Sequence, residues 1–311
     1  MLKYILKRIL LMIPAILATS FIIYFAMNMT GGDPALSLAP ENASEEQIQQ
    51  IRVELGLDKP VLVRYGKYML GMFKGDLGKS YVTQKDVFKT YMGRLPNTLE
   101  LAFTAVFIAT LIAIPLGIYT AIHQNTWKDT GGMIFALFGV SMPNFWLGLM
   151  LILLFSVGLH WVPSGGKGGF NTLILPAVTV GLGFAALITR TTRSAMLDVI
   201  RQDYMTTARA KGASEKEVIF QHGLRNALIP IITVIGMQLS NALTGSVLAE
   251  TVFSWPGIGR LIVDSIAKRD TPMVTGAIIM SCVLMCVVNL VVDLVYAFFD
   301  PRIKAQYAKK G

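Results

Sequence analysis

Four groups of residues have types and spacings that could do chemistry. The string Gly75-Asp-Leu-Gly78-Lys79-Ser80 ends like the phosphate loop G-x-x-x-x-G-K-[ST], whose amides and lysine cradle a nucleotide. The first glycine of that pattern would fall on Phe73, so the string is read as a turn. His123, His160 and His222 lie far apart with no Cys, Asp or Glu at ligand spacing, and no metal site follows. Glu100, Glu250 and Asp293 fall in or at the ends of apolar runs, where a carboxylate is costly unless paired or wet. They could serve as a proton relay, but all three lie near run boundaries, and structural pairing is the favoured reading. No nucleophile stands beside a base, which leaves an intramembrane hydrolase unsupported.

The fourth group is RQDYMTTARAKGASEKEVIFQHGLRNALIP, residues 201–230, a basic and small-residue stretch between apolar runs. Thr206 to Ala213 predict a short helix with Ala208 and Ala210 on its face, ending near Gly212, where a left-handed residue can stop it. Ser214 followed by Glu217 is a capping box for a second helix running through Val218, Ile219, Phe220 and Leu224 towards a kink at Pro230. A solvated basic loop would account for the charge alone. The cap and the small-residue face argue instead for a rigid surface on which a partner docks.

These residues must be positioned by membrane helices. Of 311 residues, 53% are hydrophobic and 15% charged, against about a quarter charged in soluble domains. Six windows are long and apolar enough to span, near 9–29, 98–122, 132–158, 173–192, 227–249 and 273–298. The first is longer than a signal-peptide core and is read as a retained anchor. The net charge of +9 sorts by topology, which makes orientation its explanation and not nucleic acid. Residues 190–225 hold seven Lys/Arg against four acids, and the N-terminus and the tail (Arg302, Lys304, Lys309, Lys310) are also basic. Six spans place these three clusters on one face, cytoplasmic by the positive-inside rule.

The intervening segments divide the chain further. The expected organisation is an N-terminal anchor at 1–29, an extracytoplasmic helical insertion at 30–95, a five-span core at 96–298 with a cytoplasmic loop at 197–226, and a cytoplasmic tail at 299–311. Within the insertion, Ile48, Ile51, Val53 and Leu55, then Val61 to Met72, predict short amphipathic helices. Pro143, after Gly139, predicts a kink in the third span. The loop at 159–171 is glycine-rich, with Trp161 placed for an interfacial belt. In residues 250–270, Trp255 is expected at the membrane interface, Pro256-Gly257 as a turn, and Ile258, Leu261, Ile262 and Ile266 as the apolar stripe of a short surface helix. Cys282 and Cys286 are expected as packing residues.

The 201–230 stretch resembles the cytoplasmic coupling loop of permease subunits in ATP-binding-cassette (ABC) importers, in the branch that takes up dipeptides, oligopeptides and nickel. The general loop begins Glu-Ala-Ala, has a glycine six residues after the Glu and ends in Leu-Pro. Here Thr206 stands at the Glu position, Ala208 at the second Ala, Gly212 at the glycine, and Leu224-Arg225 replaces Leu-Pro. The peptide branch's own variant, ARAKG followed by H-x-LRNALxP, is matched by Ala208–Gly212 and His222–Pro230. Similar patches run in order along the chain: Gly32-Asp33-Pro34, Gly56 to Pro60, Gly75 to Gly78, Arg94 to Leu101, Glu250 to Phe253, Pro256 to Gly259, and Asp300-Pro-Arg302.

The resemblance implies an all-α, six-span permease of the type I ABC importer kind in a bacterial cytoplasmic membrane, itself not an enzyme. It implies four partners: a sister permease, two cytoplasmic ATPases that bind ATP and Mg, and an extracytoplasmic substrate-binding protein. It assigns the coupling contact to Asp203, Thr206, Ala208, Arg209, Ala210, Lys211, Gly212, Ala213, His222 and Arg225. It assigns the outer gate to Glu250, Trp255, Pro256, Gly257 and Gly259. Peptide, nickel and glutathione importers share the pattern, so the cargo stays open. The rival readings are a proton-coupled carrier and a membrane scaffold.

Overall fold

The computed structural model describes residues 2–29, 33–40 and 42–299. The Gly31-Gly32 pair, the Asp300-Pro-Arg302 patch and the basic tail lie outside the described residues, as do the side chains of Lys3, Lys7, Arg8 and Asp293. Among the described residues every regular element is helical, apart from one isolated bridge between Lys79 and Asp86.

In chain order, α1 is Leu2–Met29, α2 Pro34–Leu38, α3 Glu45–Glu54, α4 Val61–Phe73, α5 Val87–Ile122 and α6 Trp127–Ser141. Next come α7, Asn144–Leu151, continued by π-helical turns at Ile152–Gly158, then α8, Phe170–Ile200, and α9, Asp203–Ala210. A second continuous path joins α10 (Glu215–Glu217), π-helical turns at Val218–Leu224 and α11 (Arg225–Gly245). The last helices are α12 Val247–Val252, α13 Ile258–Ala267 and α14 Thr271–Phe299.

Five helical stretches are long and apolar enough to cross a bilayer: Leu10–Met29, Val87–Ile122, Phe170–Ile200, Glu215–Leu243 and Thr271–Val292. The α6–α7 pair, bent by 98° at its break, is a broken span or a re-entrant loop, and makes a sixth if it is one span. Helix is the expected form in lipid because it satisfies its backbone polar groups within the segment. The break comes at Met142, whose extended backbone (φ −96°, ψ 133°) reflects the clash between a helical residue and a following proline. Pro96, the expected first residue of the five-span core, lies inside α5, which starts at Val87. There Tyr91 and Leu95 pack with Ile258, and the packing outweighs the lost backbone bond.

The chain folds as two compact units, one holding Leu2–Thr98 with Pro256–Val287, the other Leu99–Trp255 with the chain from Val288 onward. In the first unit, α4 packs on α1 through aromatic rings. Tyr24 lies 5.4 Å from Tyr65 and 5.7 Å from Tyr68, centroid to centroid, and the Ser20 and Tyr65 hydroxyls are 3.0 Å apart. The Gly75–Ser80 string is a turn with Gly75 and Gly78 at φ +81° and +78°. Its Ser80 is buried and donates to the carboxylate of Asp270, which also accepts the Tyr81 N–H at 2.9 Å. Helix α13 is packed by three residues of its expected stripe, Ile258 and Ile262 against Tyr91 and Ala277, and Leu261 against Leu77 and Met273, while the fourth, Ile266, is exposed.

The second unit is a stack of α5 to α8, α11 and α12. Small residues let helices approach closely, as membrane packing requires. A Cβ on Gly181 would come 2.7 Å from the Ala105 carbonyl oxygen, and one on Gly139 2.7 Å from that of Leu182.

Candidate functional site

The connection between α8 and α11 is built outward from the core of the second unit. Ile219, in its π-helical turns, belongs to a buried cluster with Ile118, Ala121, Ala195, Met196, Ala227 and Ile231. Met205 is the single buried residue of α9, fully excluded from solvent. Its methyl group lies 3.4 Å from where a Cβ on Gly223 would sit, beside that of Met196 at 3.2 Å. A short helix of this length is marginal alone. Met205 therefore supplies the burial that holds α9 against the second half of the connection.

The helix end is a Schellman motif. Gly212 N–H donates to the Arg209 carbonyl at 2.9 Å and Ala213 N–H to the Ala208 carbonyl at 3.2 Å, with Gly212 at φ +83°. Two residues later the capping box is complete. Glu217 N–H donates to Ser214 Oγ at 3.3 Å, and Ser214 N–H to Glu217 Oε2 at 2.9 Å. Arg209 Nε donates to Glu215 Oε1 at 2.7 Å across the turn. That guanidinium is occupied by the connection's own carboxylate, a feature the spacing did not announce.

Asp203, Thr206, Arg209, Ala210, Lys211, Gly212, His222 and Arg225 are all exposed, while Ala208 and Ala213 are half-buried. They share one connection, and the exposed face is polar, cationic and small. Tyr204 and Phe220 are also exposed there, at 42% and 50%. Sequence reasoning passed over both as docking residues. The available signal was an aromatic side chain in an otherwise polar segment, the residue type that anchors protein interfaces.

The base of the connection carries a further feature. Asp129, at the start of α6, receives both arms of Arg193 from α8: Nε to Oδ1 at 2.7 Å and Nη2 to Oδ2 at 2.6 Å. Asp129 Oδ2 also accepts the Asn125 N–H at 3.1 Å, which supports the left-handed Asn125 (φ +62°) in the α5–α6 turn. Arg193 was counted only among orienting charges.

The residues expected at an outer gate separate into different environments. Trp255 is not interfacial: it is 1% exposed, packed with Leu101, Leu173 and Ala177, with Lys167 Nζ 5.6 Å from its ring centroid. Close packing around the ring outweighs the pull of its indole towards water. Trp161 is 68% exposed. Glu250 is fully buried, accepts the Ser246 hydroxyl at 3.2 Å, and offers its carbonyl to the Trp255 N–H at 2.8 Å. Pro256, Gly257 and Gly259 fall in the other unit, where Asn97 donates to the Pro256 carbonyl at 2.7 Å, Gly257 precedes α13 and Gly259 is buried. Of the relay candidates, Glu100 is paired with Lys167 at 3.1 Å. Asp293 lies outside the described side chains. Among the described residues, no group of three or more His, Cys, Asp or Glu could hold a metal ion.

Two families match the chain. The one described as the binding-protein-dependent transport system inner membrane component matches residues 113–305, and its N-terminal membrane component counterpart matches residues 1–102. Among curated proteins, the chain is similar to the glutathione transport system permease protein GsiC of Salmonella paratyphi A and of Escherichia coli K12. Each is 40% identical over 304 residues, which cover 98% of this chain and 99% of the relative. Among solved structures, an inward-facing MetNI methionine ABC transporter chain superposes with a TM-score of 0.60 at 17% identity, covering 68% of this chain and 97% of that one. An amino acid ABC transporter chain gives 0.53 at 14% identity, covering 67% and 94%. At those identities the likeness concerns the fold alone.

Proposed function

We propose a function from one premise: the chain belongs to the family of inner membrane components of binding-protein-dependent transport systems. It is an ABC importer permease subunit. We infer that its cargo is a short peptide or a peptide-like thiol such as glutathione, a reading supported by the names of its relatives. The proposal includes a sister permease, two cytoplasmic ATPase subunits that hold ATP and Mg, and an extracytoplasmic binding protein. Both termini would then be cytoplasmic.

The observation that carries the mechanism is the fixed mounting of α9. A helix anchored by buried Met205, stopped by Gly212 and braced by Arg209–Glu215 moves as a body with α8 and α11. Alternating access needs such a lever, because rigid-body motion transmits force that a bending loop would dissipate. The exposed residues Asp203, Thr206, Ala210, Lys211, Gly212, His222 and Arg225, with half-buried Ala208 and Ala213 beneath them, would form the surface that an ATPase cleft grips. Arg209 would act by bracing the surface through Glu215. Glu250 and Trp255 of the second unit, and separately Pro256, Gly257 and Gly259 of the first, are proposed to take part in outer closure, with Trp255 as a packed post.

The test is ATP-driven uptake in proteoliposomes containing the full set of subunits, with labelled glutathione, a dipeptide and a longer peptide offered in turn. Uptake of one or more with ATP, and none without it, is expected. Uptake driven by a proton gradient in the absence of ATP would overturn the reading.

A further inference from the structure

The first unit contains two adjoining cavities lined by none of the residues assigned above to coupling or outer closure. One, of about 400 Å3, is lined by Lys59, Arg64, Lys67 and Lys79, by the phenols of Tyr24, Tyr68 and Tyr81, and by a single carboxylate, Asp76. Asp76 is already engaged, accepting the Gly78 N–H at 2.8 Å. Among the described residues none of the four cations has an ion-pair partner. Among the described residues, Arg64 Nε and the Tyr68 hydroxyl are buried with no hydrogen-bond partner. Buried polar groups are nearly always satisfied, so two orphans in one cationic pocket call for a ligand that accepts from both. Burial pushes the Tyr68 phenol well above its ordinary pKa, which keeps it a donor.

The second cavity, of about 390 Å3, is apolar. It is a groove lined by Ile13, Ile16 and Leu17 of α1, Met72 and Phe73 of α4, and Met280 of α14. Leu77 lines both cavities, so they lie side by side. The depth along α1 is informative. Tyr24 stands five residues before the end of the span at Met29, roughly 7.5 Å at the helical rise, and Ile13 to Leu17 lie roughly 10–16 Å deeper. The cationic pocket thus lies towards the end of the span and the groove deeper along it. Leu62, Leu70 and Phe73 leave α4 with an exposed apolar surface, as expected of a helix seated at the lipid boundary.

We propose that this paired cavity is a binding site for an anionic phospholipid, the phosphate held by Arg64, Lys67 and Tyr68 and an acyl chain laid in the groove beyond Leu77. Arg and Lys at a phosphate make charge-assisted bonds, and the net excess of cations favours a headgroup that carries a net negative charge. The site ties α1 to α4 through lipid as well as through their ring contacts.

The test is native mass spectrometry of the detergent-purified full chain, titrated with phosphatidylglycerol, phosphatidylcholine and glycerol 3-phosphate. Phosphatidylglycerol should be retained in preference to phosphatidylcholine. Lys59→Gln with Lys67→Gln, both at exposed positions, should weaken its retention about thirty-fold. Ile16→Trp, which fills the groove, should weaken retention without changing the headgroup preference. Equal retention of the two lipids, with no change in either variant, would overturn the proposal. Displacement of phosphatidylglycerol by glycerol 3-phosphate at equal concentration would also overturn it, showing a free-phosphate site. The variants count only if their elution volume and lipid-free melting temperature match the wild type. Should the double variant fail this check, Lys79→Gln alone, also exposed, carries the same expectation at about five-fold.

Discussion

Asp129 and Arg193 form a two-armed ion pair that joins the first turn of α6 to α8, with the Asp129 side chain 8% and the Arg193 side chain 24% exposed. The pair closes the turn from α5 at one end and lies on the helix that leads into α9 at the other. It therefore fixes the base of the lever on which the proposed coupling depends.

Removing one partner strands the other. Arg193→Ala should lower stability by about 3 kcal/mol, the low end for breaking a buried pair because the arginine is a quarter exposed. Arg193→Lys should recover part of this, since charge is kept but the two-armed geometry is lost. The double change Asp129→Leu with Arg193→Met should be milder than Arg193→Ala. Thermal unfolding in detergent reads all three, and equal melting temperatures across the set would contradict the role assigned to the pair.

Gly212 should rank substitutions by their tolerance of the left-handed region. Its φ is +83°, and a Cβ there would meet nothing within 4 Å, so backbone conformation alone sets the cost. An alanine should cost about 1–2 kcal/mol locally and an asparagine less. ATP-driven uptake should fall in the order Gly, Asn, Ala, Val. Uptake insensitive to this series would mean that the helix end need not be fixed.

Arg209 and Glu215 can be separated from the docking surface by charge exchange. An exposed pair is worth about 0–1 kcal/mol, so neither single reversal should unfold the chain. If Arg209 acts by bracing the turn, Arg209→Glu with Glu215→Arg should restore the uptake lost in Arg209→Glu. If the double exchange stays as inactive as the single change, Arg209 contacts a partner directly.

The span pattern was legible because a bilayer demands long apolar helices, and nothing in tertiary packing can disguise them. The capping box at Ser214–Glu217 and the stop at Gly212 were legible for a related reason: both are set by local backbone chemistry within a few residues. Asp129–Arg193, Ser80–Asp270 and the pocket around Arg64 were not, because each joins residues distant in sequence whose types are common on any surface. Trp255 shows the same limit from the other side. Its amphipathic ring suggested an interface, and only the packing of Leu101, Leu173 and Ala177 decides that it is core.

Phe253 is clasped by two glycines of its unit. A Cβ on Gly165 would approach its carbonyl oxygen to 2.2 Å, and one on Gly148 would lie 3.0 Å from its ring. Gly165→Ala should lower the melting temperature by several degrees. Gly168→Ala, whose Cβ would meet only the Thr172 methyl at 3.5 Å, should change it little. Equal effects would show that the loop does not close on Phe253 in the working protein.

Alkaline pH should loosen the 74–86 loop. Burial, followed by the neighbouring Tyr24, pushes the Tyr81 phenol from 10.0 up to about 12. A raised pKa in the fold means that the stability it reflects is full below pH 10 and is lost as pH rises towards 12. Tyr81→Phe should therefore resist alkaline unfolding of the first unit better than wild type, read by hydrogen exchange of the loop amides between pH 9 and about 11.5. Identical exchange in the two proteins would contradict the assignment.

The central claim is that force enters this chain through α9. The most direct measurement is ATP-driven uptake by the complete transporter carrying Ala210→Glu with Tyr204→Ala, two exposed changes that leave Met205 and the Gly212 stop intact. Uptake below about a tenth of wild type is predicted, equivalent to about 1.4 kcal/mol or more of lost coupling, with normal membrane insertion and nucleotide binding by the partner subunits. Uptake at the wild-type rate would contradict it.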